Sequence, residues 1–137
     1  MTQENVKSQG NVYNKSTDIN ADTTLDLYDT GRQLIVSGTA ALTCSLPPIA
    51  DVRAGWSVQF LFASDHAHEV EINSADSNIL YGMVRAQAGP VVAEASGSLA
   101  LVANPMGGSV ACSTVEVFCD GTLWHIRGET PNQAIFS

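Results

Sequence analysis

The stretch Thr114-Val-Glu-Val-Phe-Cys-Asp-Gly-Thr-Leu-Trp-His-Ile126 decides the fold. It holds two short segments of alternating hydrophobicity joined by Asp120-Gly121. Asp-Gly between such segments signals a hairpin, because both central residues of a type I′ turn need positive φ. With a side-chain period of two, Val115, Val117 and Cys119 share one face of the incoming strand, and Trp124 and Ile126 share one face of the outgoing strand. A two-stranded ribbon near the C-terminus follows, with His125 out of phase on its exposed side.

The same alternation recurs upstream. Thr24 to Asp29 puts Leu25 and Leu27 inward, and Leu34-Ile-Val36 follows the turn Asp29-Thr-Gly31. The next segment puts Ala40, Leu42, Cys44 and Leu46 inward and is ended by Pro47-Pro48, neither of which can donate to a ladder. Val58, Phe60 and Phe62 form another inward face after Trp56, and Asp65 to Ala67 supplies a turn before Val70 and Ile72. Glu69, Glu71 and Asn73 alternate with those two, so that outer face is wet or meets a basic partner. A shorter segment is centred on Ile79 to Met83, residues 84–97 read as a small, flexible connection, and Leu99, Leu101 and Ala103 form the last inward set before the ribbon.

No window combines sustained helical periodicity with caps. Short strands separated by turn signals predict an all-β fold, an antiparallel β-sandwich or jelly-roll-like domain of about eight strands. That domain is expected over residues 23–137, preceded by a flexible N-terminal arm over 1–22. The arm is rich in Asn, Gln, Ser, Thr and Asp and holds Val6, Val12, Tyr13 and Ile19 as isolated apolar positions. It reads either as a disordered tail or as an arm that orders on a partner, with Tyr13 and Ile19 as natural anchors.

A chain of 137 residues is one domain's worth and long enough to bury a core. Charged residues make up 15% and apolar ones 45%, a profile that fits a compact β protein. The net charge of −8 repels phosphate backbones, and the six Lys and Arg form no patch, so no nucleic-acid partner is expected. No segment reaches the ~20 apolar residues of a membrane helix, and Met1-Thr-Gln-Glu-Asn-Val-Lys has no signal-peptide core, so no membrane association is expected and the chain is expected to be made in host cytoplasm. Cys44, Cys112 and Cys119 are odd in number and lack C-x-x-C spacing; Cys44 and Cys119 fall on inward phases and read as small core hydrophobes.

Candidate chemistry is sparse. His66 and His68 with Glu69 have a spacing that suits a divalent metal, yet they sit at a turn with no third ligand nearby in sequence, so no metal and no cofactor are assigned. His125 reads as an exposed strand histidine, and no nucleophile elbow, zincin motif, phosphate-cradling loop or EF-hand spacing occurs. The chain is therefore expected to bind and not to catalyse. Trp56 and Trp124 adjoin strands and read as packing residues, with stacking on a sugar as the alternative.

The order Ser37-Gly-Thr-Ala to Leu46-Pro47, Gly55-Trp-Ser-Val-Gln-Phe, Val70-Glu-Ile, Ile79-x-x-Gly82, Ser96-Gly-Ser-Leu-x-Leu and Asp120-Gly-Thr-x-Trp124 resembles the small β-domains of tailed bacteriophages. These serve as capsid decoration (cement) proteins and as head-fibre or tail-fibre modules, and the resemblance spans about residues 24–127. It implies a homotrimer on the capsid exterior of the virion, bound to the major capsid protein and bridging its subunits, with the arm lying on the capsid. The alternative it implies is a fibre or tail-tip module that binds a host surface glycan through Trp56 and Trp124. The tail from Gly128 departs from the pattern; its closing Ile135-Phe136 reads either as a docking plug or as a tail packed on its own domain.

Overall fold

The computed structural model describes residues 15–37, 40–62, 69–77, 79–102 and 113–137. The protein is an all-β sandwich of a seven-stranded and a five-stranded sheet. Its strands are β1 (Lys15–Ile19), β2 (Thr23–Thr24), β3 (Arg32–Val36), β4 (Leu42–Ser45), β5 (Ser57–Phe62), β6 (Val70–Asn73), β7 (Leu80–Ala86), β8 (Gly89–Ser96), β9 (Ser98–Val102), β10 (Thr114–Cys119), β11 (Trp124–Glu129) and β12 (Gln133–Phe136). No helix among the described residues is long and apolar enough to cross a membrane.

The first half of the chain is wound as a coil. β1, β3 and β5 lie side by side and parallel in the large sheet, while β2, β4 and β6 lie side by side and parallel in the small one. Each winding thus adds one strand to each layer and stacks like on like: Ile19 on Val36 on Phe62, and Thr17 on Leu34 on Phe60. The corners repeat as well. A buried leucine follows β2 and β4 (Leu25 and Leu46), a short 3-10 turn comes next (Leu27–Asp29 and Ile49–Asp51), and a positive-φ glycine leads back to the large sheet (Gly31 and Gly55).

The C-terminal ribbon then interrupts this winding. β10 and β11 pair antiparallel in the register Cys119 to Trp124, Val117 to Ile126, and the ribbon wedges between β5 and β7 in the middle of the large sheet. β7 runs parallel to β11 and so keeps the polarity of the coils. In the small sheet β9 joins β6 antiparallel and β12 joins β9 antiparallel. Every inward residue read from the ribbon is buried, with Trp124 at its centre.

Several expectations are corrected. Twelve strands replace about eight, and both sheets are mixed instead of antiparallel. Period-two alternation identifies the face a residue occupies and says nothing of which strand lies beside it. Residues 84–97 are not a connection: they complete β7 and form β8, a hairpin with Gly89 at its tip. Leu27 is exposed, because Asp26 caps the 3-10 turn from both sides. Its Oδ1 accepts the Tyr28 N–H at 2.8 Å, and its own N–H donates to Asp29 Oδ2 at 2.8 Å. Ala40 is exposed, lying before β4 begins. Strand β1 brings residues 15–19 of the expected arm into the large sheet.

Candidate functional site

The Asp120 loop differs from a type I′ turn. Cys119 and Trp124 close a four-residue connection in which Gly121 has positive φ and Asp120 does not. The Asp120 carboxylate substitutes for a tighter turn: Oδ1 accepts the backbone N–H of Thr122 at 2.8 Å and of Leu123 at 2.7 Å, and Oδ2 lies 2.7 Å from His125 Nε2. The His125 hydrogen bond first, and the two backbone N–H groups after it, hold the Asp120 carboxyl down at about 2. The His125 ring stacks on Phe118, centroids 4.8 Å apart. This exposed pair is a turn clasp, and Ser57, the residue in register beside Phe118, lies on the side of that ring away from His125.

Trp56 and Trp124 are both buried and meet edge to face, 5.2 Å apart. Trp56 also donates from Nε1 to the Asp26 carbonyl at 3.1 Å. Neither indole is open to a sugar, so the stacking role expected of them as the alternative is corrected. Ile19 is buried in the core against Val36 and is not a partner-facing anchor; Val6, Val12 and Tyr13 lie outside the described residues. His66 and His68 also lie outside them, and among the described residues no three His, Cys, Asp or Glu side chains gather as a metal site. The C-terminal pair is divided: Phe136 packs against the core within β12, and Ile135 points out, 47% exposed. Cys44 and Cys119 are free and buried, and burial, with the Asp29 charge second, pushes the Cys44 thiol up to about 12.

What the molecule presents instead is exposed apolar surface in two places. The first is the coil corner after β2. Tyr28 is 80% exposed and Leu27 40% exposed on the capped 3-10 turn, beside a hollow of about 390 Å³ that also involves Pro47, Pro48 and Asp51. Sequence reading missed Tyr28 because it treated Thr24 to Asp29 as strand; the Asp26-x-x-Asp29 spacing is the cap that marks the turn.

The second place is the outer face of the large sheet. Successive registers line up Gln33, Gln59, Glu116, Arg127, Met83 and Val92 across it. Gln33 Nε2 donates to Gln59 Oε1 at 3.2 Å, and Arg127 donates from Nε and Nη2 to Glu116 Oε1 at 3.0 and 2.7 Å. Met83 and Val92, adjacent at the end of the row, are 41% and 66% exposed. Between them and β5 lies a shallow hollow of about 350 Å³ lined by Gln59, Met83, Thr114 and Arg127 among others.

No protein-family model matches the chain, and no curated protein matches it.

Proposed function

We propose that the chain is a structural protein of a tailed-bacteriophage virion, a capsid decoration protein that binds the outside of the head as a homotrimer and bridges major capsid subunits. The carrying observation is where the apolar exposure sits: Tyr28 and Leu27 stand out from a turn fixed by reciprocal Asp26 and Asp29 hydrogen bonds, on a rigid wound sandwich. A rigid, outward-facing aromatic anchor is what a contact surface uses, because it buries a large area with little loss of side-chain freedom. Repeated over many equivalent positions on one head, modest contacts accumulate through multivalency. The net charge of −8 suits a partner surface that carries basic residues.

The test is sedimentation of the full chain with expanded heads that lack it. Saturable co-sedimentation, weakened by Tyr28→Ala, supports the reading; a protein that stays in the supernatant at every concentration overturns it.

A second reading, a fibre or tail-tip module for a host surface glycan, is favoured by the same corner. Tyr28, Pro47 and Pro48 form an open platform beside Asp51, and an aromatic face with an adjacent carboxylate suits a sugar ring and its hydroxyls. Glycan-array binding that Tyr28→Ala abolishes, together with no head binding, would select this reading over the first.

A further inference from the structure

We propose that the outer face of the seven-stranded sheet is the surface by which the chain meets a second copy of itself, with Val92 and Met83 at its centre of contact. This deepens the oligomeric part of the proposed function and requires no capsid.

The two outer faces of the sandwich differ in chemistry. On the small sheet the outward positions of the central strands are Thr43 and Ser45, Glu71 and Asn73, and Ser98 and Ala100. An antiparallel or mixed sheet with one solvated face reads this way. On the large sheet the outward positions include Ile35, Leu61, Phe118, Met83 and Val92. An apolar set of this extent on an outward face marks a contact surface.

Charge selects a second copy as the occupant. A chain of net charge −8 repels its own kind unless the copies meet where charge is balanced. Beside Met83 it is balanced: Arg127 pairs with Glu116, and Arg85 stands in register with Glu129, so two positive charges meet two negative ones. Exposed Glu94 at the sheet edge leaves this half of the face at a single negative charge. The face is also shaped for its own kind, carrying a projecting Val92 and, across Met83, the hollow lined by Gln59 and Thr114. Knob and hollow on one surface let the same patch serve both partners.

The area is adequate. Seven strands at a spacing of ~4.8 Å and about five residues long give a flat face of roughly 500 Å², before side-chain relief enlarges it. Doubled across two copies, that reaches about the 1,000 Å² at which specific interfaces begin, so association is expected to depend on protein concentration.

The experiment is sedimentation velocity of the full chain over a wide concentration range, beside Val92→Glu with Met83→Glu and beside Ala100→Lys on the opposite outer face. The expected result is a wild-type mass above that of one chain, a monomeric double variant with unchanged circular dichroism and melting, and an Ala100→Lys variant that behaves as wild type. A wild type that stays monomeric at the highest concentration overturns the proposal, and leaves head binding, read separately, untouched. A double variant as associated as wild type overturns the assignment of the face. Should the double variant not fold, the wild type itself supplies the readout through peroxide oxidation of Met83, followed by peptide mass. Slower oxidation at high protein concentration than at low supports the face as the contact, and equal rates overturn it.

Discussion

Trp56 and Trp124 meet edge to face with their ring centroids 5.2 Å apart and their planes 76° from parallel. The first stands where the second winding turns into β5, the second opens β11, so the contact fastens the coiled half of the molecule to the ribbon wedged into it. Trp56 reaches further, donating to the Asp26 carbonyl of the first winding's corner at 3.1 Å. One side chain therefore links three parts of the chain that are distant in sequence.

Replacing Trp56 with Phe keeps an aromatic ring and removes that hydrogen bond together with part of the packing. The expected cost is about 1–3 kcal/mol in urea unfolding. A midpoint equal to wild type would show that the corner is held by the winding alone.

Gly82 lies opposite Ile126 in the parallel pair of β7 and β11, with φ of 145°. A Cβ there runs into the Ile126 carbonyl, a backbone atom that cannot step aside without breaking the ladder. Gly89 has φ of 127° but open space around it. Gly89→Ala should cost about 1–3 kcal/mol for its backbone conformation alone, and Gly82→Ala distinctly more, above ~4 kcal/mol or a failure to fold. Thermal melts of the two variants side by side separate conformational strain from collision.

Ala95 is the counterpart: a residue with a side chain at φ of 55°, at the irregularity where β8 slips against β7 between Leu80 and Gly82. A bulge places one extra residue in the left-handed region, where glycine is unstrained. Ala95→Gly should relieve about 1 kcal/mol of strain, offset in part by glycine's greater freedom in the unfolded chain. A raised melting temperature is the expected observation.

Acid should act on the Asp120 clasp. Its carboxyl sits at about 2 in the folded chain against an ordinary 3.8, so the native state binds this proton less readily than the unfolded one. The stabilisation is present above about pH 4 and is lost as pH falls through about 2. Asp120→Asn should flatten the dependence of stability on pH between those values, measured by urea unfolding across the range; an unchanged slope would mean that other carboxyls account for it.

Cys44 should be inert in the native protein. With its thiol raised to about 12 by burial, and no accessible surface, it stays protonated at pH 8 and closed to iodoacetamide. Peptide mass after labelling should find Cys44 modified only when denaturant is added.

The layers were legible in the residues and the path between them was not. Val115, Val117, Cys119, Trp124 and Ile126 announce their burial by alternation, as do Val58, Phe60, Phe62, Leu99 and Leu101, and each is buried. Alternation is a property of one strand, so it could not reveal that β3 lies parallel between β1 and β5, a fact set by where the chain returns after each corner. The signal for that return was present as a spaced echo, Leu25 to Gly31 and Leu46 to Gly55, with windings too unequal in length for a fixed period to expose it. Residues 84–97 failed for another reason: Ala, Gly and Ser in β8 have weak strand preference, and only pairing with β7 makes that segment extended. At the candidate site, Tyr28 and Val92 are single exposed residues whose significance lies in what surrounds them in space.

The parallel winding also gives the molecule one finished end and one end that can grow. At the β8 and β12 edges the chain has reversed direction and closed its layers, whereas at β1 and β2 both sheets stop partway through a pattern that each winding reproduces on the last. A further winding laid there would extend both layers at once while leaving the ribbon, the Trp56–Trp124 contact and the Met83 face untouched. Length is thus a quantity that this architecture can change at one end without redesign at the other, which suits a part that must span a fixed gap between larger neighbours.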